Sequence, residues 1–319
     1  MAVDMLKKVL RSQSGAVLLL AAVALPALLG FGALAIDVGL LYKSKTELSA
    51  AADAAALAGA QELPRKPEKA EAIAQEYASR NGKPGDQVTV TVAADRRSLE
   101  VDIKRIVPLY LSNIFAKNAS LVAEKAKAQV SVAASVPWIV PFVIPKTQVF
   151  DHVHTFTMRI PDPNKPYGQY EFDYMNVGIE NTDFATYIKY LKYGYQKTFK
   201  VGDTVKYLGP SSGGKESVDA FFDRTVRDGN TDYTKTEGGQ PRVMLIPVVE
   251  AMLPRTTPAG TPMKIIGFVG FFLETVHKGS YGKTYYAKGK FIKDLNVGSG
   301  QTSADATIDF GVRTIQLVR

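Results

Sequence analysis

The chain has 319 residues, a formal net charge of +8 and no cysteine. That length allows about two domains. The lack of thiols excludes disulfide frameworks, thiolate zinc sites and cysteine nucleophiles, so any exported part holds together by packing alone. The basic balance suits solubility or acidic surface partners such as anionic lipid or polysaccharide.

Residues Ala16 to Ile36 contain no charge. At 1.5 Å per residue this helix-length run covers about 31 Å, the thickness of a bilayer's hydrocarbon core. Its Leu, Val, Phe and Ile side chains favour lipid by about 3 to 6 kcal/mol in sum, before the penalties for Pro26, Gly30 and Gly32. The run predicts a transmembrane helix, residues 16–36. Lys7, Lys8 and Arg11 precede it against Asp4 alone, so residues 1–15 read as a cytoplasmic tail and the bulk as extracytoplasmic. Two processing sites stay open. Gly32-Ala33-Leu34-Ala35 offers an A-x-A cleavage site, behind an apolar run longer than signal peptides use. Arg11-Ser12-Gln13-Ser14-Gly15 resembles a prepilin peptidase site, with Leu20 where prepilins usually carry glutamate.

From Asp37 to Leu63 alanine density predicts a continued helix, ended by Pro64. Leu41, Leu48, Ala52, Ala55 and Gly59 recur at spacings of seven, four, three and four, which puts them on one face. Small residues there would let another helix approach closely. So long a rod suggests a scaffold or assembly part.

Residues 64–136 read as a small α-β-β-α-β module. Glu68–Arg80 is amphipathic and stops at Asn81-Gly82. Val88, Val90 and Val92, then Leu99, Val101 and Ile103, alternate with polar residues about a turn at Asp95–Ser98, which predicts a hairpin. Pro108 opens a short helix in this reading, and Ala126, Ala128, Val130 and Val132 line one face of a third strand. Beyond Pro137, Pro141 and Pro145 the chain becomes a β-rich C-terminal domain, residues 137–319. Strands are predicted at Thr155–Ile160, Val243–Val249, Lys264–Glu274, Thr284–Ile292 and Thr307–Leu317, and helices at Asp183–Tyr193 and Glu216–Val226. Pro247 pushes its strand toward an edge or a bulge. The unalternating run Ile265–Leu273 predicts a strand buried on both faces. The fold class is α+β.

The anchor followed by Ile36-Asp37-Val38-Gly39-Leu40-Leu41-Tyr42, a polar spacer, and Leu48-Ser49-Ala50-Ala51-Ala52-Asp53-Ala54-Ala55-Ala56-Leu57-Ala58-Gly59-Ala60 resembles the TadE/TadG-like proteins of tight-adherence (Tad/Flp) pilus systems. The resemblance covers residues 10–62 and implies a bitopic protein of the bacterial inner membrane that helps assemble or anchor thin adhesive pili. Its implied partners are the membrane and other pilus or secretion apparatus proteins, with a homo- or hetero-oligomer possible and no nucleic acid. Larger members carry a metal-site signature Asp-x-Ser-x-Ser, which is not found in this sequence. Helix-interaction residues on this reading are Asp37, Gly39, Leu41, Tyr42, Leu48, Ala52, Asp53, Ala55 and Gly59. Asp37 reads equally as a contact to a partner helix or as the interfacial end of the anchor. Asp53 reads first as a solvated position on an alanine helix.

Other hints of chemistry are incomplete. Gly209–Lys215 has P-loop spacing, but Glu216 stands where the magnesium-binding hydroxyl belongs. His152 and His154 sit two apart on an expected strand beside Asp151, with only His277 left as a further nitrogen donor. Asp228-Gly229-Asn230-Thr231-Asp232 begins like a calcium loop and lacks its sixth-position glycine and distal glutamate. Tyr281, Lys283, Tyr285, Tyr286, Lys288, Lys290 and Phe291 read as a strand with a Lys-rich solvent edge, or as a sugar-binding face. No catalytic, cofactor or metal set is assigned. The expected function is non-enzymatic pilus assembly. The alternatives are a polysaccharide-binding module and a hydrolase using His152 and His154.

Overall fold

Alanine, leucine and the scarcity of β-branched residues carry one helix, α1 (Gln13–Ala60), through Pro26 without interruption. In this computed structural model the described residues are 13–110, 118–159, 169–172, 174–179, 182–209, 214–254, 256–277, 286–298 and 308–318. The chain divides into two units. Met1–Gly59, Pro67–Ala128 and Leu317–Arg319 form one, and Ala60–Lys66 with Gln129–Gln316 the other.

In the first unit α1 is long and apolar enough to cross a membrane, and its best apolar stretch has no side chain buried by the protein. The helix ends at Ala60, four residues before the proline expected to end it. Helix α2 (Pro67–Asn81) buries Ala70, Ala74 and Ala78, each four apart and therefore on one stripe. Strands β1 (Gln87–Val92) and β2 (Ser98–Pro108) form the expected hairpin, with Val90 opposite Val101 and Val92 opposite Leu99. Arg96 takes a left-handed conformation (φ 57°) in its turn. Pro108 closes β2 instead of opening a helix, and residues 111–117 of that expected helix lie outside the described residues. Strand β3 (Ala119–Val132) follows β2 in the sheet. Lys125 meets Glu100 at 3.1 Å and Asp102 at 3.3 Å, while Leu109 N–H donates to Asn118 at 2.9 Å. Numbers that rise on one strand and fall on the other make the pair antiparallel.

In the second unit the chain runs β4 (Ser135–Pro137), β5 (Phe142–Pro145), β6 (Phe156–Arg159), β7 (Glu171–Phe172), β8 (Met175–Gly178), α3 (Phe184–Tyr193), β9 (Thr198–Lys200), β10 (Thr204–Tyr207), α4 (Gly214–Arg227), β11 (Val243–Val249), β12 (Pro262–His277), β13 (Tyr286–Ile292), β14 (Leu295–Asn296) and β15 (Val312–Val318). Eight strands form one sheet in the order β10-β8-β5-β11-β12-β13-β6-β7, and β10 also pairs with the start of β12. Alternation along β11 divides the core. Val243, Leu245 and Val249 join one cluster with Tyr195, Val205 and Phe268. Met244, Ile246 and Val248 join another with Tyr187, Leu191 and Phe221 of the two helices. Both sheet faces are therefore covered, which is why Ile265–Leu273 lacks polar alternation. Pro247 sits in an interior strand, not at an edge. It falls between the Ile139–Leu245 bridge and the Val248–Ile144 pair, beside a register shift at Val248/Val249. A register shift beside a strand proline is the bulge alternative of the two expected.

Buried arginines tie the helices to this sheet. Arg224 donates to the carbonyls of Leu191 (2.5 Å) and Pro241 (2.9 Å), and burial pushes its pKa down to about 9. Arg242 donates to the carbonyls of Thr225, Asp228, Leu273 and Glu274. Phe291 is a hub, with Phe150, Phe156 and Phe271 at ring separations of 5.1, 5.0 and 5.2 Å.

Gly59 offers a test of the helix packing in the first unit. A Cβ there would lie 2.7 Å from the Ala70 carbonyl oxygen and 2.9 Å from Ala74 Cβ. Gly-to-Ala normally stabilises a free helix by about 1 kcal/mol. Here Gly59→Ala is expected to destabilise by about 1–3 kcal/mol instead, measured by thermal unfolding of the full chain in detergent.

Candidate membrane-exit and helix-docking site

Beyond the apolar run, one face of α1 turns inward. Asp37, Ser44, Leu48, Ala51, Ala52, Ala55 and Ala56 are buried, at helical spacings that define a single stripe. Gly59 continues it against Ala70 and Leu99. At Gly59 the small-residue stripe expected to receive another helix meets α2 and the hairpin of its own unit. Leu48, Ala52 and Ala55 are buried, Leu41 and Asp53 are half-buried, and Gly39 and Tyr42 are exposed.

Asp37 is only 3% exposed, and its Oδ1 accepts the backbone N–H of Tyr110 at 2.8 Å. The carboxylate thereby holds the end of β2 against the helix, inside the fold. Ten residues along α1, Glu47 accepts from Arg105 at 2.7 Å and from Lys83 at 2.7 Å. Arg105 also makes two parallel bonds of 2.7 Å to Asp86, and the Lys83 N–H donates to Asp86 at 2.8 Å. This fork-to-fork pairing is among the stronger ionic geometries. Arg105 and Lys83 depress the two carboxyls, and the carboxylates raise Arg105. Arg105 is the leading cause at Asp86, Lys83 at Glu47 and Asp86 at Arg105. Sequence reasoning missed this network, although a signal was present. Leu99, Val101 and Ile103 face inward, so period two places Arg105 inward too, and a core-facing cation requires a partner.

The other chemical hints take ordinary structural roles. His152 and His154 lie in bends before β6, not on a strand, and diverge. His152 Nδ1 lies 3.3 Å from the Phe291 carbonyl, whereas His154 contacts Asp151 and stacks on Tyr170. His277 stacks on Tyr286. In the Asp228–Asp232 segment Asp228 accepts the N–H of Asn230 and of Arg242, Asn230 accepts that of Asp232, and Asp232 accepts that of Thr234. Those oxygens shape turns. Residues 210–213 of the P-loop-like stretch and 281–285 of the aromatic-basic stretch lie outside the described residues. The rest of the latter, in β13, pairs on both sides, with β12 and β6, so it is not a solvent edge. Lys288 and Lys290 lie over the rings of Tyr286 and Tyr233.

Compared with known proteins, residues 15–62 match the family described as putative Flp pilus-assembly TadE/G-like. No curated protein and no solved structure matches the chain.

The Arg105 network carries an acid-sensitivity prediction. Carboxyls depressed in the folded state contribute stability that is complete above their unfolded values and lost as pH falls through the folded ones. Arg105→Met, which leaves Asp86 without its cation, is expected to cost about 2–4 kcal/mol at neutral pH. It should also flatten the loss of stability below about pH 4, read from denaturant midpoints measured across pH.

Proposed function

From a chain that is TadE/TadG-like over residues 15–62, we propose a single-span, non-catalytic assembly component of a Flp-type pilus or related secretion apparatus. The basic tail stays in the cytoplasm, α1 crosses the inner membrane, and both folded units work on the extracytoplasmic side. The observation that supports this reading is the division of labour along α1. Its stripe from Ser44 onward is consumed by its own fold, whereas Phe31, Leu34, Val38 and Tyr42 remain exposed. Gly30, Gly32 and Gly39 have nothing within 4 Å of where a Cβ would stand. Contacts with other membrane components therefore belong on residues 17–42, where small positions permit close helix approach. Among the proposed interaction residues Gly39 and Tyr42 face partners. Asp37, Leu48, Ala52, Ala55 and Gly59 act by presenting that surface rigidly.

In-membrane photo-cross-linking separates the two groups. A photoreactive residue at Leu34, Gly39 or Tyr42 should capture an identified pilus-assembly protein in native membranes, while one at Leu48 or Ala55 should give only intramolecular products. Failure of all three exposed positions would remove the assembly reading. Alanine at both His152 and His154 should leave pilus number unchanged by electron microscopy; a hydrolytic activity lost while pili stay intact would restore the enzymatic alternative.

A further inference from the structure

The outer face of the first unit's sheet changes character along its length. On β2 the outward positions run Glu100, Asp102, Lys104, then Ile106 and Pro108, and on β3 they run Lys127, Lys125, Ala123, then Leu121. Charged residues pair across the strands at one end. At the other end Ile106 (69% exposed), Leu121 (62%) and Tyr110 (70%) stand open. A sheet face that serves only as a solvated surface has no reason to switch to apolar residues at one end.

Helix α1 measures where that end lies. Arg105 is bonded at the level of Glu47 and Tyr110 at the level of Asp37. Ten helical residues rise about 15 Å and five strand residues about 17 Å, so β2 descends beside α1 toward the apolar run. Asp37 does not mark the edge of the lipid-compatible surface, because its carboxylate is buried against Tyr110 N–H. The next exposed charge is Lys43, about 9 Å further along, after Val38, Gly39, Leu40, Leu41 and Tyr42. Ile106 lies about 13 Å above Tyr110, hence about 4 Å beyond the level of Lys43. The headgroup layer is about 5–7 Å thick on each side, which spans that height. A groove of about 390 Å³ runs from this depth toward the Arg105 network, with Leu40, Ile106, Tyr110 and Leu121 among its apolar lining and Lys83, Asp86, Lys104 and Arg105 among its charged lining.

We propose that the tip of the first folded unit is a second membrane contact. Tyr110, Ile106 and Leu121 rest in the phospholipid interface, with the boundary near Lys43. Tyr42, 72% exposed at the same depth, belongs to the same interfacial belt. This rests on α1 being the membrane anchor and is independent of any pilus partner.

The test uses the full chain in phospholipid vesicles. Trp138, the only tryptophan, is replaced by Trp138→Phe, and single reporters are introduced as Tyr110→Trp, Ile106→Trp, Leu28→Trp and Thr91→Trp. Lipids carrying a nitroxide near the headgroup should quench the reporters at 110 and 106 at least about twofold, while Thr91→Trp stays unquenched. Leu28→Trp should respond instead to a nitroxide deep in the acyl chain. Quenching at 28 without quenching at 110 and 106 overturns this proposal alone. Loss of quenching at 28 overturns the anchor as well. The unsubstituted protein supplies a second measurement that needs no folded variant. A photoactivatable phospholipid should give adducts within 106–110 or at 121, and adducts confined to α1 would refute the contact.

Discussion

Helix α1 changes from an exposed apolar rod to a packed helix along its length, and the rest of the first unit is arranged around that change. Along α1 the apolar side chains up to Tyr42 are largely exposed, whereas from Ser44 onward one face is buried, and at Gly59 it meets α2 and Leu99. The backbone of Tyr110 is tied to Asp37 and the guanidinium of Arg105 to Glu47, which joins helix to sheet at two levels. The alanines and Gly59 allow the close approach, and the ionic pairs set its register. Packing supplies the bulk of such stability, and polar pairing supplies its uniqueness.

The second unit solves a different problem. With no disulfide available, it covers both faces of a large sheet with mixed aliphatic and aromatic side chains. Buried arginines bonded to carbonyls hold α3 and α4 in place. Charged groups that end on backbone oxygens are spent on structure. The acidic residues Asp151, Asp228 and Asp232 likewise accept backbone N–H groups and shape bends and turns.

Much of the secondary structure was legible because local rules were obeyed. The β1–β2 hairpin follows from alternating valines, α3 begins one residue past Asp183, whose side chain caps it, and β11 spans the seven residues its pattern marks. Pro108 was misread as a helix start because a proline suits either a first helical turn or the end of a strand. His152 and His154 were placed on a strand although Asp151 folds the backbone back through its own side-chain bonds to Val153 and His154. A small-residue stripe such as the one through Ala52, Ala55 and Gly59 records that something packs there and carries no record of what.

The sequence by itself determined the membrane-length run, the continuity of the helix beyond it, the strand periods and the similarity of residues 15–62 to a pilus-assembly family. These depend on neighbours within a few turns, where hydropathy and propensity act directly. Tertiary structure decided which face of α1 is already occupied, that Asp37 is shielded, and that Arg105 is neutralised. Those outcomes join residues 58 and 73 positions apart, and a polar group's cost or benefit depends on whether such a distant partner arrives. No local pattern encodes that arrival.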